Sequence, residues 1–309
     1  MNKRYKYIIN RILWGFVVLW GVSLISFGIL HLAPGDPARL LLPATATWEE
    51  INNLREILGL NKPLHIQYLV YIRGVIKGDL GTSLFYKKPN LDLIKERLPA
   101  TLILSIAAIL TAILISIPLG LIAGVKQGTF IDVLVMFFAI LGQSMSIVWF
   151  AIFLVFVFSV KLRLLPSFGY GSFRTLILPT VALAFEQSAL ITRLTRTGMI
   201  DVLSEDYILA IRAKGIKESK VVTRYAFKNV LITVTTIIGL TFAGLMGGQL
   251  ACETIFVWPG IGSLSISAIS QRDFPLVQSI MLVVSAFFVL INLAVDILYT
   301  FLDPRLRYD

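Results

Sequence analysis

An all-α integral membrane protein, with six transmembrane helices and a helical extracytoplasmic insertion between the first two, is predicted by three observations. The chain of 309 residues is 57% hydrophobic and only 15% charged, with a mean hydropathy of +0.82, far from the balance of a soluble domain. Six apolar stretches reach the roughly 20 residues that a helix needs to cross the hydrocarbon. The charged residues lie mainly between these stretches, and the longest basic run occupies residues 201–229. The net charge of +10 is explained by topology and anionic headgroups, without nucleic acid.

The first element is the apolar run 12–32, preceded by Lys3, Arg4, Lys6 and Arg11. It is too long for the core of a signal peptide, so a retained span with its N-terminus inside is expected. Residues 33–99 form the one sizeable aqueous segment. It opens with Ala33-Pro34-Gly35-Asp36-Pro37, which stops a helix because proline lacks the donor and restricts its predecessor. Thr47 and Glu50 make a capping-box pair, with Ile51, Leu54 and Leu58 on one face and Gly59 as the stop. A second amphipathic helix is expected over residues 64–76, with Leu64, Tyr68, Ile72 and Ile76 on one face, lying on the membrane surface or capping the bundle. His31 and His65 have no metal-type partner at helical spacing and are read as interface residues.

Five further spans are expected at about 100–125, 133–160, 176–194, 230–252 and 276–302. Pro118 and Gly120 interrupt the first of these, and a polar turn at 126–132 returns the chain. Both termini then lie on the cytoplasmic side. No internal repeat is visible, which disfavours a carrier built from inverted repeats. The single cysteine, Cys252, sits in an apolar stretch and reads as a small core residue.

Polar groups inside spans point to a pathway, since an intramembrane charge usually faces a cavity or a partner. The candidates are Gln143 in the third span, Glu186 and Gln187 near the middle of the fourth, and Asn292 and Asp296 in the sixth. Glu186 is the sharpest: it suits a substrate's amino group, a proton, or an arginine of another subunit. Glu253 and Asp296, nearer the span ends, are equally suited to structural hydrogen bonding. The stretch 201–229 is helix-forming and broken at Gly215. A solvated loop and a docking handle both fit its charge, while its length exceeds what a tight connection needs. Phosphate-loop, His-Glu-x-x-His and cysteine-rich metal patterns are absent, as is a persuasive hydrolytic triad. Any ATPase driving transport therefore belongs to another chain, and neither enzyme activity, cofactor nor metal is expected here.

An ordered set of motifs covers nearly the whole chain. It comprises His31-Leu32-Ala33-Pro34-Gly35-Asp36-Pro37, Leu58-Gly59-Leu60 with Gln67-Tyr68, Gly78-Asp79-Leu80-Gly81-Thr82-Ser83 and Glu96-Arg97-Leu98-Pro99-Ala100-Thr101. It continues with Asp206-Tyr207-Ile208, Arg212-Ala213-Lys214-Gly215, Glu253-Thr254-Ile255-Phe256-Val257-Trp258-Pro259-Gly260-Ile261-Gly262, Arg272-Asp273-Phe274-Pro275 and Leu302-Asp303-Pro304-Arg305-Leu306-Arg307. In this set the chain resembles the permease subunits of the ATP-binding-cassette importers for peptides and nickel, on the side of the B-type oligopeptide and dipeptide permeases.

The resemblance implies the type I importer permease fold in a bacterial or archaeal cytoplasmic membrane. It divides the chain into the N-terminus and first helix (1–32), an extracytoplasmic cap (33–99) and a transmembrane core (100–309) with a cytoplasmic coupling segment at 197–229. Within that segment a short helix docks on the ATPase, with Asp206, Tyr207, Ala210, Arg212, Ala213, Lys214 and Gly215 at the contact. Ala210 and Ala213 allow close approach, Arg212 and Lys214 supply polar contacts, and Gly215 makes the bend. The implied partners are a second permease, two ATP-binding subunits and an extracytoplasmic substrate-binding protein, around a lipid-embedded heterodimer that moves peptides. The same pattern serves nickel-chelate, glutathione and some sugar importers. An ion-coupled secondary carrier relying on Glu186 and Asp296, and a receptor-like anchor for the basic stretch, are the rival classes. The chain departs from the family at Leu209-Ala210-Ile211, where Glu-Ala-Ala is usual. Thr233 and Ser146 stand at frequent proline positions, and Glu186 at one usually small or proline.

Overall fold

The computed structural model describes residues 3–32, 39, 46–57 and 61–302. Its elements are helices: α1 (Lys3–Leu32), α2 (Trp48–Ile57), α3 (Leu64–Ile76), α4 (Asn90–Val125), α5 (Phe130–Ser144) and α6 (Ile147–Lys161). They continue as α7 (Phe173–Leu203), α8 (Asp206–Ala213), α9 (Glu218–Met246), α10 (Leu250–Ile255), α11 (Ile261–Ser270) and α12 (Phe274–Leu302). Among the described residues, α1, α4, α7, α9 and α12 are long and apolar enough to cross a membrane, and α5 with α6 makes a sixth crossing if the pair is taken as one span.

The centre of the bundle is the α4–α7 pair, with α5, α6 and α9 packed around α7. Between spans in lipid, close approach is secured by small side chains rather than by the hydrophobic effect. A Cβ on Gly120 would lie 2.6 Å from the Thr195 side chain, and one on Gly124 2.6 Å from Met199. Gly120 thus serves helix–helix contact, and α4 runs unbroken through both Pro99 and Pro118. Neighbouring helices stabilise such a proline-bearing span by satisfying the backbone around it. The helix also begins at Asn90, ten residues before the boundary expected at 100.

The stretch 133–160 differs most from expectation. It is two helices, α5 and α6, meeting at 105° around Met145 and Ser146. No proline or glycine occupies the break. Phe185 of α7 is lodged there instead: its ring stacks on Phe150 at 4.5 Å between centroids, and its carbonyl closes on Gly142. Both Met145 and Ser146 take extended backbone angles to pass around it.

The capping box is formed as read. The Thr47 N–H donates to Glu50 Oε2 at 2.8 Å, and the Glu50 N–H reaches back to Thr47 Oγ1 at 3.4 Å. The box holds the Glu50 carboxyl below its ordinary range, through the backbone and hydroxyl donors of Thr47. Helix α3 covers the expected residues and leans on α1 through Tyr68, whose hydroxyl pairs with Ser23 Oγ at 2.7 Å. The stop at Gly59 and the motifs 33–37, 58–60 and 303–307 lie outside the described residues, as does the His31 side chain.

The last helix closes on the first. Arg11 Nε lies 3.2 Å from Asp296 Oδ2, and a Cβ on Gly15 would meet Val289 at 2.9 Å. The start of α1 and the end of α12 therefore share the end of the bundle that carries α8.

Candidate functional site

Two ends of the bundle carry the family-like motifs, and they are built differently. At the α11 end, two polar knots join segments far apart in the chain. Asp273, fully buried, accepts from the Ser83 hydroxyl, from the Leu84 N–H at 3.1 Å and from the Phe85 N–H at 3.2 Å. The same carboxylate takes the Leu276 N–H at 3.3 Å in the first turn of α12. Asn90 Nδ2 adds bonds to the Leu80 and Pro275 carbonyls and to Ser279 Oγ. The motif ending in Ser83 and the motif holding Asp273 are thus two halves of one clamp.

The second knot is centred on Glu253, 1% exposed. Its carboxylate accepts from the Thr101 hydroxyl at 3.0 Å and the Ser263 N–H at 2.9 Å. Gly260 presses its Cα against that carboxylate, where any Cβ would collide. Trp258 donates its indole N–H to the Ala100 carbonyl at 2.9 Å, and Tyr170 packs edge-on against it. Burial pushes the Glu253 carboxyl above its ordinary range, opposed by donation from Ser263, Thr101 and Gly262. Structural hydrogen bonding is the role that the geometry gives Glu253. Cys252, beside it, is buried with its thiol 3.8 Å from the Pro179 carbonyl.

At the opposite end, α7 stops at Leu203, and only Ser204 and the extended Glu205 separate it from α8. Asp206 opens α8 with a negative charge in its first turn, where the helix dipole favours one. Gly215 follows with φ +72° and open space around its Cα, so the requirement for glycine is set by backbone angle. A single side chain of α8, Ile208, is fully buried, near Val221 and Ala226 in the π-helical turn that begins α9. Tyr207 accepts from Asn229 Nδ2 at 2.7 Å.

The seven residues read from the resemblance as a docking contact, Asp206, Tyr207, Ala210, Arg212, Ala213, Lys214 and Gly215, are all exposed. Arg212 is already engaged: it forks onto Glu218, with Nη2 to Oε1 at 2.6 Å and Nε to Oε2 at 3.1 Å. This hydrogen-bonded pair raises the affinity of Arg212 for its proton and braces the bend at Gly215. Leu209, read from the sequence as a departure from the family pattern and not as a contact, is 57% exposed and is the most exposed large apolar side chain of α8. A leucine outward on a short polar helix was the available signal.

The five intramembrane polar candidates fall into two groups. Glu186 is exposed and Gln187 half-buried on α7, and Gln143 is exposed on α5. They lie beside one crossing, since Gly142 packs on Phe185 and Ala189. Asn292 and Asp296 sit on α12 instead. Asn292 donates to the Phe288 carbonyl of its own helix at 2.8 Å, and Asp296 pairs with Arg11. Arg193, unnoticed in the sequence, is exposed two turns beyond Glu186 on the same α7 face.

The family described as the inner membrane component of binding-protein-dependent transport systems matches residues 116–308, and its N-terminal companion matches residues 4–105. The chain is 40% identical to the dipeptide transport system permease protein DppB of Alkalihalophilus pseudofirmus, over 98% of this chain and 99% of that protein. It is 39% identical to the glutathione transport system permease protein GsiC of Shigella flexneri, with the same coverage of both. Its fold resembles a chain of the inward-facing MetNI methionine ABC transporter, with a TM-score of 0.56, 16% identity, and coverage of 68% of this chain and 96% of that one. The chain belongs to the family of binding-protein-dependent transport system inner membrane components.

Proposed function

We propose that the chain is one of two permease subunits of an ATP-driven importer that moves di- or oligopeptides across the cytoplasmic membrane. The observation that carries this reading is α8: an eight-residue helix held by one buried isoleucine, with seven motif residues exposed between two long apolar helices. Such a handle suits a groove in an ATP-binding subunit, to which Leu209 offers an apolar knob and Lys214 a charge. Nucleotide-driven closure then shifts α8 and α7 between two states of the bundle. The basic residues of 201–229 support a cytoplasmic position for this end, which turns the clamped α11 end toward an external binding protein.

Similarity to a dipeptide permease supports peptides as the substrate class. A second reading, glutathione, is favoured by the near-equal similarity to a glutathione permease. Both substrates carry a free ammonium group, and Glu186 beside the α5–α7 crossing supplies a carboxylate for it.

The test is to purify the chain from its native membrane, identify its partners and assay ATP hydrolysis and uptake with Arg212→Glu or Gly215→Pro. Recovery of a second permease and ATP-binding chains, with hydrolysis uncoupled from uptake in the variants, is expected. A chain isolated alone, whose transport follows an ion gradient and ignores both changes, overturns the proposal. In the same assay Glu186→Gln is expected to weaken uptake of free-amino peptides more than of N-acetylated ones. Equal effects on both remove Glu186 from the pathway.

A further inference from the structure

We propose that Asp132 and Arg196 form the joint through which movement of α8 is passed to α5 and to the bend between α5 and α6. The inference rests on the reading of α8 as the ATPase contact.

The pair is two-pronged, with Asp132 buried and Arg196 half-buried. Arg196 Nε donates to Asp132 Oδ1 at 2.5 Å and Nη2 donates to Oδ2 at 2.7 Å, with the two side chains 22% and 4% exposed. Asp132 Oδ2 also takes the Gly128 N–H at 2.9 Å, which ties the turn between α4 and α5 to the same carboxylate. A planar fork on a carboxylate fixes orientation as well as distance, which a contact between aliphatic side chains does not.

Its place in the fold gives the pair its leverage. Arg196 lies two turns before the end of α7, and only Ser204 and Glu205 intervene before α8. A rotation or tilt of α8 is therefore imposed on Arg196 with little slack. On the other side, α5 has few attachments of its own. Only Asp132, Ala139 and Gly142 of its 15 residues are buried.

Helix α5 is fastened to α7 near its two ends, by the ion pair at Asp132 and by the close approach of Gly142 to Phe185 and Ala189. Between these points a cavity of about 360 Å³ lies among α4, α5 and α7, bordered by Ile115, by Leu134 and Phe138, and by Val181, Ser188 and Thr192 respectively. The cavity thins the packing along the middle of α5, where Ala139 is its one buried side chain, so the ion pair is the polar tie that orients its first turn on α7. Its last turn leads directly into the 105° bend at Met145 and Ser146.

Stability alone gives a poor reason for the pair. A buried ion pair loses much of its attraction to desolvation and is often replaceable by well-packed apolar residues. Close by, Gly124 and Met199 already join α4 to α7 in that apolar way. What the pair adds is a fixed orientation between a turn and the helix leading to α8. Asp132 and Arg196 are positioning residues in this scheme.

The test uses the complete transporter reconstituted in lipid vesicles with its binding protein, and radiolabelled dialanine as the probe. Spin labels are placed singly at Ser204→Cys, beside α8, and at Met145→Cys, in the bend. Both positions are exposed, while the native Cys252 is buried. ATP with vanadate is expected to change the spectra of both labels in the otherwise unsubstituted complex.

With Asp132→Asn, the label at 204 is expected to respond still, while the response at 145 is lost and dialanine uptake falls about tenfold at near-normal hydrolysis. Arg196→Lys keeps the charge and loses the fork, so an intermediate response at 145 is expected; this variant decides the matter if the asparagine variant does not assemble. A full response at 145 in the variant that assembles overturns the joint and leaves the α8 reading standing. No response at either label in the unsubstituted complex overturns the α8 reading, and the joint with it.

Discussion

The two ends of this bundle use polar residues in opposite ways. At the α11 end, Asp273 and Glu253 are almost wholly buried and draw loops and helices together with donors from several segments. At the α8 end, one fully buried isoleucine, an exposed Arg212–Glu218 pair and the Tyr207–Asn229 hydrogen bond hold a helix whose polar side chains are exposed. The difference separates a part fixed by its own hydrogen bonds from a part left incomplete. In the proposed role of α8 as the ATPase contact, exposed polar groups of this kind are left for a second protein.

Breaking the fixed end should have the largest effect. Asp273→Ala strands the Ser83 hydroxyl and the N–H groups of Leu84 and Phe85, each worth about 1–3 kcal/mol when left buried and unpaired. The expected result is little folded protein, read as the loss of a monodisperse peak in detergent.

Glu253→Gln should act less severely, because it puts an amide N–H₂ where one carboxylate oxygen accepts, at a cost of about 1–3 kcal/mol. It also changes the pH dependence of stability. The folded carboxyl titrates above its ordinary range, so the stability linked to its protonation is complete below the unfolded value near 4.3 and lost as pH rises through the folded value. A plot of Tm against pH should decline across that window in the native chain relative to the glutamine variant. Parallel curves would refute the assignment.

At the other end the effects should become local. Ile208→Ala removes the one buried anchor of α8, a change of about 2–5 kcal/mol at a well-packed site. Amide exchange in 206–213 should accelerate while Tm stays close to the native value, since α8 is a separate short element. A matching fall in Tm would show that α8 is part of the cooperative core. Arg212→Ala should be smallest in stability, within about 1 kcal/mol for an exposed pair, yet should still impair uptake. Stability and transport falling together would erase the contrast between the two ends.

Much of this contrast was legible from the residues, but unevenly. The capping box of Thr47 and Glu50 and the bounds of α3 followed from local chemistry, because each depends on neighbours within one turn. The motif pieces around Ser83 and Asp273 were visible separately, whereas their union spans 190 positions and has no local signature. The bend at Met145 has Phe185, from another helix, packed against its flanks and lacks the proline or glycine at the break that would announce it. Arg196 was discoverable in principle: an arginine near the end of an apolar span demands an acid, and Asp132 stands at the adjoining turn.

The pairing of α1 with α12 bears on how the protein is made. The ribosome delivers α1 well before α12, so α1 waits in the bilayer while the described helices between them are synthesised. Trp14, Phe16, Val17 and Trp20, all at least half exposed in the finished fold, suit it to lipid during that interval. Arg11, near its basic end, meets Asp296 only after the intervening helices have been made. A chain truncated before α12 would keep its first helix in the membrane without the surface that Gly15 and Arg11 close upon, a mismatch for quality-control proteases to find.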